Sequence, residues 1–234
     1  MSHTPQFPPL LTGENVTAGT DPFDKAVSQA VAGVDSGTVF YSSAADTLKA
    51  ALVLAPESDL ETALQAVYVA QVGLAESLGA LAPPETPIHF VWPNRIKVNA
   101  ALCGTLRYAA ETTTPGSHPN WLVIGIEIPF IPATDDPGLN PEQTCLHAEG
   151  CGEVEPMALL ESWSKHTLLW LTKYLDDGFE KVHSEWRPRC DTLGQEIETP
   201  RAGVFTGLDE MGRMLLRKDG MTETLSLIEF AENA

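Results

Sequence analysis

Two neighbouring stretches decide the fold, Val91-Trp-Pro-Asn-Arg-Ile-Lys-Val-Asn-Ala-Ala-Leu-Cys-Gly104 and Trp121-Leu-Val-Ile-Gly-Ile-Glu-Ile128. Both contain short apolar runs of strand length, rich in β-branched residues. With the residues just before them they predict successive strands over 88–91, 95–98, 102–108 and 121–131. The last of these is the most apolar window of the chain, which is typical of a strand in the middle of a sheet.

Helices are predicted on both sides of these strands. Asp21 can cap a helix that runs to Val31, because Pro22 suits a first turn. Ser58-Asp-Leu-Glu61 has the form of a capping box and predicts a long helix to Leu78, ended by Gly79. Further elements are predicted as strands over 38–41 and 50–55 and helices over 156–175 and 179–186.

The two ends of the chain differ from this middle part. Residues 1–20 are rich in Pro and Gly and predict an extended arm. From Leu193 the pattern changes to short strands separated by turn signals, which predicts a small β-barrel. The predicted fold class is therefore α+β, with an arm over 1–20, a main domain over 21–190 and a barrel over 191–234.

The charge of the chain excludes several functions. Lys and Arg number 14 against 32 Asp and Glu, a formal net charge of −18. Before Arg95 the only basic side chains are Lys25 and Lys49, so an Arg-rich loop in the first ninety residues is excluded. Such a surface repels phosphate backbones and anionic lipids, and we predict neither a nucleic-acid nor a membrane partner.

We accordingly expect no binding to duplex DNA at physiological salt. Only about twenty irregular residues precede the first predicted helix, which leaves no room for a helix-turn-helix domain there. The measurement is an electrophoretic mobility shift with micromolar protein at several salt concentrations. A salt-sensitive shift would contradict the prediction, because it would reveal phosphate contacts that the charge does not indicate.

The N-terminus and the cysteines bear on two questions, the cellular location of the protein and whether it binds a metal ion. The N-terminal residues lack a basic segment followed by an apolar one, and no apolar run reaches the roughly 18 residues of a membrane span. Four cysteines in a chain of this size do not make a disulfide framework, so a cytoplasmic location with reduced thiols is predicted. Cys145, His147 and Cys151 match no common zinc spacing, and we predict no metal site.

The two quoted stretches resemble the core of the biotin–protein ligases. The pattern of those ligases is Lys-Trp-Pro-Asn-Asp-Ile, a hairpin carrying Lys-x-x-Gly-Ile-Leu, and a strand reading Ile-Gly-Ile-Gly-Ile-Asn. Residues 177–187 resemble the last helices of the ligase catalytic domain, and residues 203–217 resemble the C-terminal SH3-like barrel. The resemblance spans about residues 21–230 and implies a mixed sheet backed by helices, as in class II aminoacyl-tRNA synthetases and biotin ligases. The chain is also similar to bacterial biotin/lipoate ligase-like proteins without an established activity.

The resemblance implies a chemistry whose residues are largely missing here. These ligases join biotin, or lipoate in a sister group, to AMP and pass the acyl group to a lysine of a carrier domain. A Gly-Arg-Gly-Arg-Arg-Gly-type loop holds the phosphate, whereas Tyr41–Leu48 contains no arginine. The two family lysines correspond to Val91 and Ala101, the family Asp to Arg95, and the closing Asn to Pro129. The residues that define the fold remain, namely Trp92, Pro93, Asn94, Gly104 and Gly125.

These departures favour a pseudoenzyme that binds a small carboxylate, of biotin, lipoate or acyl type, or a carrier domain. ATP is not predicted as a cofactor, since the cations that would hold its phosphates are missing. Two alternatives stay open. One is an active acyl, biotinyl or lipoyl transferase or ligase with altered catalytic residues. The other is a structural or interaction protein that acts through its C-terminal barrel.

Three charged residues are the leading candidates for the ligand pocket. Arg95 and Arg107 lie on strands that would line it, where a guanidinium can bind a carboxylate or phosphate. Glu127 interrupts an apolar strand and could be a pocket acid or a general base. The alternative for all three is an ion pair, or an outward-facing side chain. The full predicted pocket comprises Trp92, Asn94, Arg95, Ala101, Gly104, Arg107, Gly125 and Glu127.

Lys97 and Cys103 are the weaker, catalytic candidates. Lys97 shares a strand face with Arg95 and could replace the missing lysines. Cys103 precedes Gly104 in the hairpin, and related octanoyl transferases use a cysteine acyl-enzyme, which requires a reactive thiolate. A small buried apolar side chain is the alternative for Cys103.

Overall fold

The computed structural model describes residues 4–132 and 142–232, and a seven-stranded sheet forms its centre. The strands are β1 (Thr12–Asn15), β2 (Thr38–Tyr41), β3 (Thr47–Leu54), β4 (Ile88–Val91), β5 (Arg95–Val98), β6 (Ala101–Ala110) and β7 (Leu122–Pro129). Their order across the sheet is β1-β2-β3-β7-β6-β5-β4. Only β1 and β2 are parallel among the pairs of this sheet as described, so the sheet is mixed.

The predicted central strand is confirmed. β7 is the fourth of the seven strands and is hydrogen-bonded to β3 on one side and β6 on the other. Its residues from Leu122 to Ile126 are buried, because helices cover both faces of the sheet at this point. A strand buried on both faces needs the continuous apolar run that the sequence shows.

Helices lie on both faces of the sheet. They are α1 (Pro22–Val31), α2 (Leu60–Ala63), α3 (Ala66–Leu81), α4 (Pro156–Asp177) and α5 (Phe179–Trp186). α3 and α4 pack against each other and cover one face, while α1 packs on the opposite face against β3 and β7. The predicted cap of α1 is confirmed, since the Asp21 side chain accepts hydrogen bonds from the backbone N–H groups of Phe23 and Asp24.

The single long helix predicted from Ser58 to Leu78 is wrong in three details. Asp59 rather than Ser58 caps α2, and the chain departs from the helix between α2 and α3. α3 continues through Gly79 to Leu81. Ala82 ends α3 in an extended conformation because it precedes Pro83, and the residue before a proline is disfavoured in a helix.

The predicted N-terminal arm adds an edge strand to the sheet. β1 lies within residues 1–20 and pairs with β2 in parallel, from Thr12 opposite Thr38 to Asn15 opposite Tyr41. The Phe7 ring packs against Tyr41 with the ring centroids 5.8 Å apart. The arm therefore contains an extended strand, and the backbone of this strand is hydrogen-bonded to the main sheet.

The C-terminal part is all β, as predicted. It contains β8 (Glu196–Ile197), β9 (Gly203–Leu208), β10 (Met214–Lys218) and β11 (Met221–Leu225), followed by a 3-10 turn over Leu227–Phe230. The four strands form one antiparallel sheet in the order β11-β10-β9-β8, and within residues 142–232 no further strand closes it into a barrel. Phe205, Leu216 and Leu225 are buried in the same hydrophobic core as α3, which replaces the core that a closed barrel would form on itself.

Within residues 4–132 and 142–232, one segment, Leu60–Leu81, is long and apolar enough to cross a membrane by length and composition alone. Of its apolar window, 78% is buried inside the protein, against α4 and the sheet. A segment buried to this extent is typical of the core helix of a globular protein.

Candidate functional site

The face of the sheet that carries α1 is open at one end, where four side chains form a row. Arg95, Thr105, Glu127 and Lys49 lie directly opposite one another on β5, β6, β7 and β3. Directly opposite residues project to the same face, so these side chains share one surface. Beside the row is a cavity of about 420 Å³, called here the main cleft. It is lined by Arg95, Leu102, Gly104, Thr105, Glu127, Pro129, Gln143 and Thr144.

Arg95 is the cation that this cleft presents to a ligand. Its side chain is exposed, and it makes no hydrogen bond or ion pair with any other residue that the structure describes. The planar guanidinium of an arginine can donate two parallel hydrogen bonds to one carboxylate. Arg95 is therefore placed to bind an anion at the sheet surface.

Arg107 is surrounded by acidic side chains. Its guanidinium nitrogens lie 2.9 Å from Asp21 Oδ1, 3.0 Å from Asp24 Oδ1 and 2.7 Å from Glu232 Oε1. It also stacks over the Phe23 ring, 4.2 Å from the centroid. The hydrogen bond with Glu232, aided by the other acids, raises the pKa of Arg107 above its usual value. The positive charge of Arg107 is therefore balanced by carboxylates of the protein itself.

Lys49 and Glu127 form a second ion pair on the same face. Lys49 Nζ lies 3.3 Å from Glu127 Oε1 and 3.2 Å from Asp21 Oδ2. Burial alone would lower the pKa of Lys49, but the hydrogen bond to Asp21 and the charge of Glu127 outweigh it and raise that pKa. Asp21 thus joins the two cations, Lys49 and Arg107.

The space beside Gly125 is filled. It measures only about 10 Å³, and its walls include Asp21, Phe23, Lys49 and Arg107. A Cβ atom on Gly125 would lie 2.7 Å from Phe23 Cδ2, so glycine is needed here for the close packing of the Phe23 ring. The part of the predicted pocket around Gly125 and Arg107 is therefore occupied by the first turn of α1.

Asp21 is expected to make stability depend on pH below about pH 4. Burial would raise its pKa, but the hydrogen bonds from Lys49 and the Phe23 backbone, with the nearby cations, lower it below the usual value. A carboxyl whose pKa is lower in the folded state stabilises above its unfolded pKa, about 3.9, and that stabilisation is lost as the pH falls below it. The free-energy difference between the native protein and Asp21→Asn should be largest at pH 7 and shrink towards pH 3, as measured by urea unfolding.

Asp21→Ala provides the comparison for this measurement. It removes the helix cap as well as the charge, and a lost cap costs about 0.5–2 kcal/mol. Asparagine still caps, so Asp21→Ala should be less stable than Asp21→Asn at both pH values. A native-minus-Asn difference that stays constant from pH 7 to pH 3 would contradict the role given to the Asp21 charge.

Lys97 and Ala101 are not among the residues that line the main cleft. Lys97 Nζ is 2.5 Å from Asp191 Oδ2, which engages the amine in an ion pair. Both residues border a separate depression of about 400 Å³, whose other walls are Ala100, Leu102 and Glu142. The lysine is thus paired with a residue of the chain that leads into the C-terminal sheet.

Cys103 is enclosed in the core. Its side chain is 1% exposed and belongs to the cluster that includes Ile128 and Leu146. Burial, with the nearby thiols and Glu149, raises the pKa of Cys103 far above its usual value. A thiol in this state does not supply the thiolate that nucleophilic attack requires.

Trp92 and Asn94 fix the turn between β4 and β5. Trp92 is buried, and its Nε1 donates to the Tyr68 hydroxyl at 2.7 Å, while Asn94 Nδ2 donates to the Leu106 carbonyl at 2.7 Å. The outer side of this turn borders another cavity of about 320 Å³, called here the second cleft. It is lined by Val91, Trp92, Pro93, Asn94, Arg95, Thr199, Pro200 and Phe230.

The interval that holds the phosphate in the resembled ligases is a short connection here. Residues 42–46 link β2 to β3, and the Asp46 carbonyl accepts hydrogen bonds from the backbone of Phe130 and Ile131. The link carries no Lys or Arg, and the first cation after it, Lys49, is paired with Asp21 and Glu127. These residues do not fit a triphosphate.

Sequence reasoning missed several residues of the site. Strand alternation could have found Thr105, because it lies two residues before Arg107 on one strand. Gln143, Thr144 and Glu232 reach the site from distant parts of the chain and carry no local signal.

Among the described residues, no group of three or more His, Cys, Asp or Glu could hold a metal ion.

Comparisons with known proteins define the class. The sequence profile of the "Biotin/lipoate A/B protein ligase family" matches residues 7–188. A "Biotin--[acetyl-CoA-carboxylase] ligase" of Paracoccus denitrificans is 26% identical over 173 residues, which are 71% of this chain and 72% of the relative. The chain therefore belongs to the biotin/lipoate A/B protein ligase family.

Two solved structures extend the comparison to the fold. A biotin protein ligase-like protein of unknown function from Silicibacter sp. TM1040 is 43% identical, with a TM-score of 0.92 over 98% of this chain and all of the other. A mutant biotin protein ligase of Aquifex aeolicus, in complex with biotin, has a TM-score of 0.74 at 16% identity over 93% of this chain and 96% of that one. The predicted superfamily and its mixed sheet backed by helices are confirmed.

Proposed function

We propose that this protein binds a small carboxylate of biotin, lipoate or acyl type, free or on a carrier domain, and does not perform ATP-dependent ligation. The observation that carries the proposal is Arg95. It stands exposed on the wall of the main cleft, without an ion-pair partner in residues 4–132 or 142–232. A cation with free donors at a cavity of ligand size is suited to a single carboxylate.

The loss of adenylation is supported by the surroundings of Arg95. Forming an acyl-adenylate requires donors that stabilise the charge developing on phosphate. Lys97 is paired with Asp191, Arg107 with three carboxylates, and the 42–46 connection carries no cation.

The charge balance of the site also disfavours adenylation. The connected ion pairs of the α1 face contain two cations, Lys49 and Arg107, and four carboxylates, from Asp21, Asp24, Glu127 and Glu232. The excess of negative charge repels a triphosphate more strongly than a singly charged acid.

The arrangement of the whole chain fits a binding protein. We interpret residues 21–190 as the ligand-binding unit and residues 191–234 as a reduced form of the SH3-like barrel, joined near residue 190. A cytoplasmic location is proposed from the N-terminal residues and the four cysteines, as in the sequence analysis. The biotinyl and lipoyl carrier domains of such ligases would be present in the same compartment.

Ligation itself is the second candidate function. The likeness to the Paracoccus denitrificans ligase favours it. Arg95 would then have to polarise the acyl oxygen that a lysine polarises in the resembled ligases. Pyrophosphate exchange distinguishes the two candidates, because only a ligase that forms an acyl-adenylate supports it.

Titration of Arg95→Ala tests the binding proposal. Biotin, lipoate and octanoate should each bind the native protein, and at least one should bind about tenfold or more weakly to Arg95→Ala. A hydrogen bond to a charged group contributes about 1.5–3 kcal/mol, which supports a change of that size. Isothermal titration calorimetry is the measurement.

Arg217→Ala is the matched control, because Arg217 is an exposed arginine on β10 and is not among the residues that line either cleft. It should bind each acid as the native protein does. Affinities unchanged by Arg95→Ala would remove Arg95 from the site, and parallel losses in both variants would indicate a general charge effect.

A further inference from the structure

Two cavities meet at Arg95. The main cleft, about 420 Å³, and the second cleft, about 320 Å³, share this one lining residue. A carboxylate bound by the guanidinium therefore lies at the border of both cavities. The remainder of the ligand can extend into either, and the chemistry of the linings decides which.

The main cleft is the less suited of the two to an apolar chain, although Leu102, Gly104 and Pro129 also line it. Thr105, Glu127, Gln143 and Thr144 place hydroxyl, carboxylate and amide groups on its walls. An alkyl chain lying there would remove water from these groups without replacing its hydrogen bonds, which costs free energy. The neighbouring space beside Gly125, at about 10 Å³, is too small to hold a chain.

The second cleft is the more apolar of the two by its residues, since only Asn94, Arg95 and Thr199 are polar among those that line it. Phe230 lies edge to face on Trp92, with centroids 5.1 Å apart, and Pro93, Pro200 and Val91 add further apolar surface. Its volume corresponds to about ten water molecules, at roughly 30 Å³ each. Displacing water from such walls by an apolar group is favourable.

We infer that the second cleft binds the apolar chain or ring of the acid whose carboxylate binds Arg95. The ligand class is thereby a carboxylic acid with an alkyl chain or an alicyclic ring. This inference rests on the function proposed above. It also makes the C-terminal part of the chain a component of the site, because Thr199, Pro200 and Phe230 form the far wall of the cleft.

The buried Tyr68 hydroxyl connects Trp92 of the second cleft to the C-terminal sheet region. The Tyr68 hydroxyl accepts a hydrogen bond from Trp92 Nε1 and donates one to the Gly212 carbonyl, in the loop between β9 and β10. Trp92 belongs to the main sheet region and Gly212 to the C-terminal sheet region. Tyr68 therefore links Trp92, which lines the second cleft, to the C-terminal sheet region.

Chain-length dependence tests the inference. Straight-chain acids from acetate to octanoate are titrated into the native protein, and affinity should rise about fourfold per added methylene, from roughly 0.8 kcal/mol per buried CH₂. Thr199→Trp fills the second cleft from an exposed position. It should abolish the dependence on chain length, so that octanoate binds this variant no more tightly than acetate does.

Two further variants complete the experiment. Leu175→Trp adds an indole at an exposed position of α4 and should behave as the native protein. Thr199→Ile fills less of the cleft and should reduce the dependence partly, which keeps the test informative should Thr199→Trp not fold. Thermal unfolding by circular dichroism establishes that each variant is folded.

The outcomes are distinguishable. The same chain-length dependence in the native protein and both Thr199 variants would place the chain elsewhere and overturn the inference alone. Equal affinities for acetate and octanoate in the native protein would also overturn the inference while leaving the proposed function in place. Failure of every acid to bind the native protein would overturn the proposed function, and the inference with it.

Discussion

Pyrophosphate exchange supported by ATP with biotin, lipoate or octanoate is expected to stay at background in this protein. Adenylation requires preorganised donors, and removing one such donor in other enzymes lowers the rate by about 10²–10³. The resemblance implies that Val91 and Ala101 occupy the positions of two ligase lysines, and the 42–46 connection contains no Lys or Arg. The measurement is incorporation of labelled pyrophosphate into ATP at saturating acid.

The Paracoccus denitrificans biotin ligase provides the positive control for this assay. Ala101→Lys provides a second comparison, because it restores one family lysine without the phosphate-binding loop. This variant should also remain at background. Robust exchange by the native protein with any of the three acids would contradict the loss of ligation and favour the second candidate function.

Trp92→Ala is expected to lower the free energy of unfolding by about 3–5 kcal/mol, the usual cost of truncating a buried aromatic residue. Trp92 is 2% exposed, contacts Phe230 and donates its Nε1 hydrogen to Tyr68. Its loss opens a cavity between the main sheet and the C-terminal sheet. Urea unfolding followed by circular dichroism measures the effect.

Trp92→Phe separates the hydrogen bond from the packing. Phenylalanine keeps an aromatic ring but cannot donate to Tyr68, so a smaller cost is expected, about 1 kcal/mol from the hydrogen bond and more from the reduced ring. If Trp92→Ala unfolded with the same midpoint and slope as the native protein, the packing role of Trp92 would be wrong.

The strands from residue 88 to residue 129 could be predicted because their signal is local. Apolar runs such as 122–128 identify a buried strand from the residues themselves. The end of α3 was predicted wrongly at Gly79, since a single glycine weakens a helix without stopping it. Pro83 provides the stronger signal, through its effect on Ala82.

The site was less accessible to sequence reasoning because its contacts are distant in the chain. The resemblance predicts Arg95 and Glu127 in the ligand pocket, while strand alternation leaves their orientation open. The structure places both on the main cleft. The partners of Arg107 lie 83 residues away at Asp24 and 125 residues away at Glu232. No local pattern distinguishes such a paired arginine from Arg95, which has no partner among the described residues.

The most direct test of carboxylate binding at Arg95 is a crystal structure of the protein with octanoate and ATP both present. The predicted result is a carboxylate within about 2.7–2.9 Å of the Arg95 guanidinium nitrogens, with the ion pairs of Arg107 intact. A carboxylate bound instead to Arg107 above Gly125, or an octanoyl-adenylate in the main cleft, would contradict it.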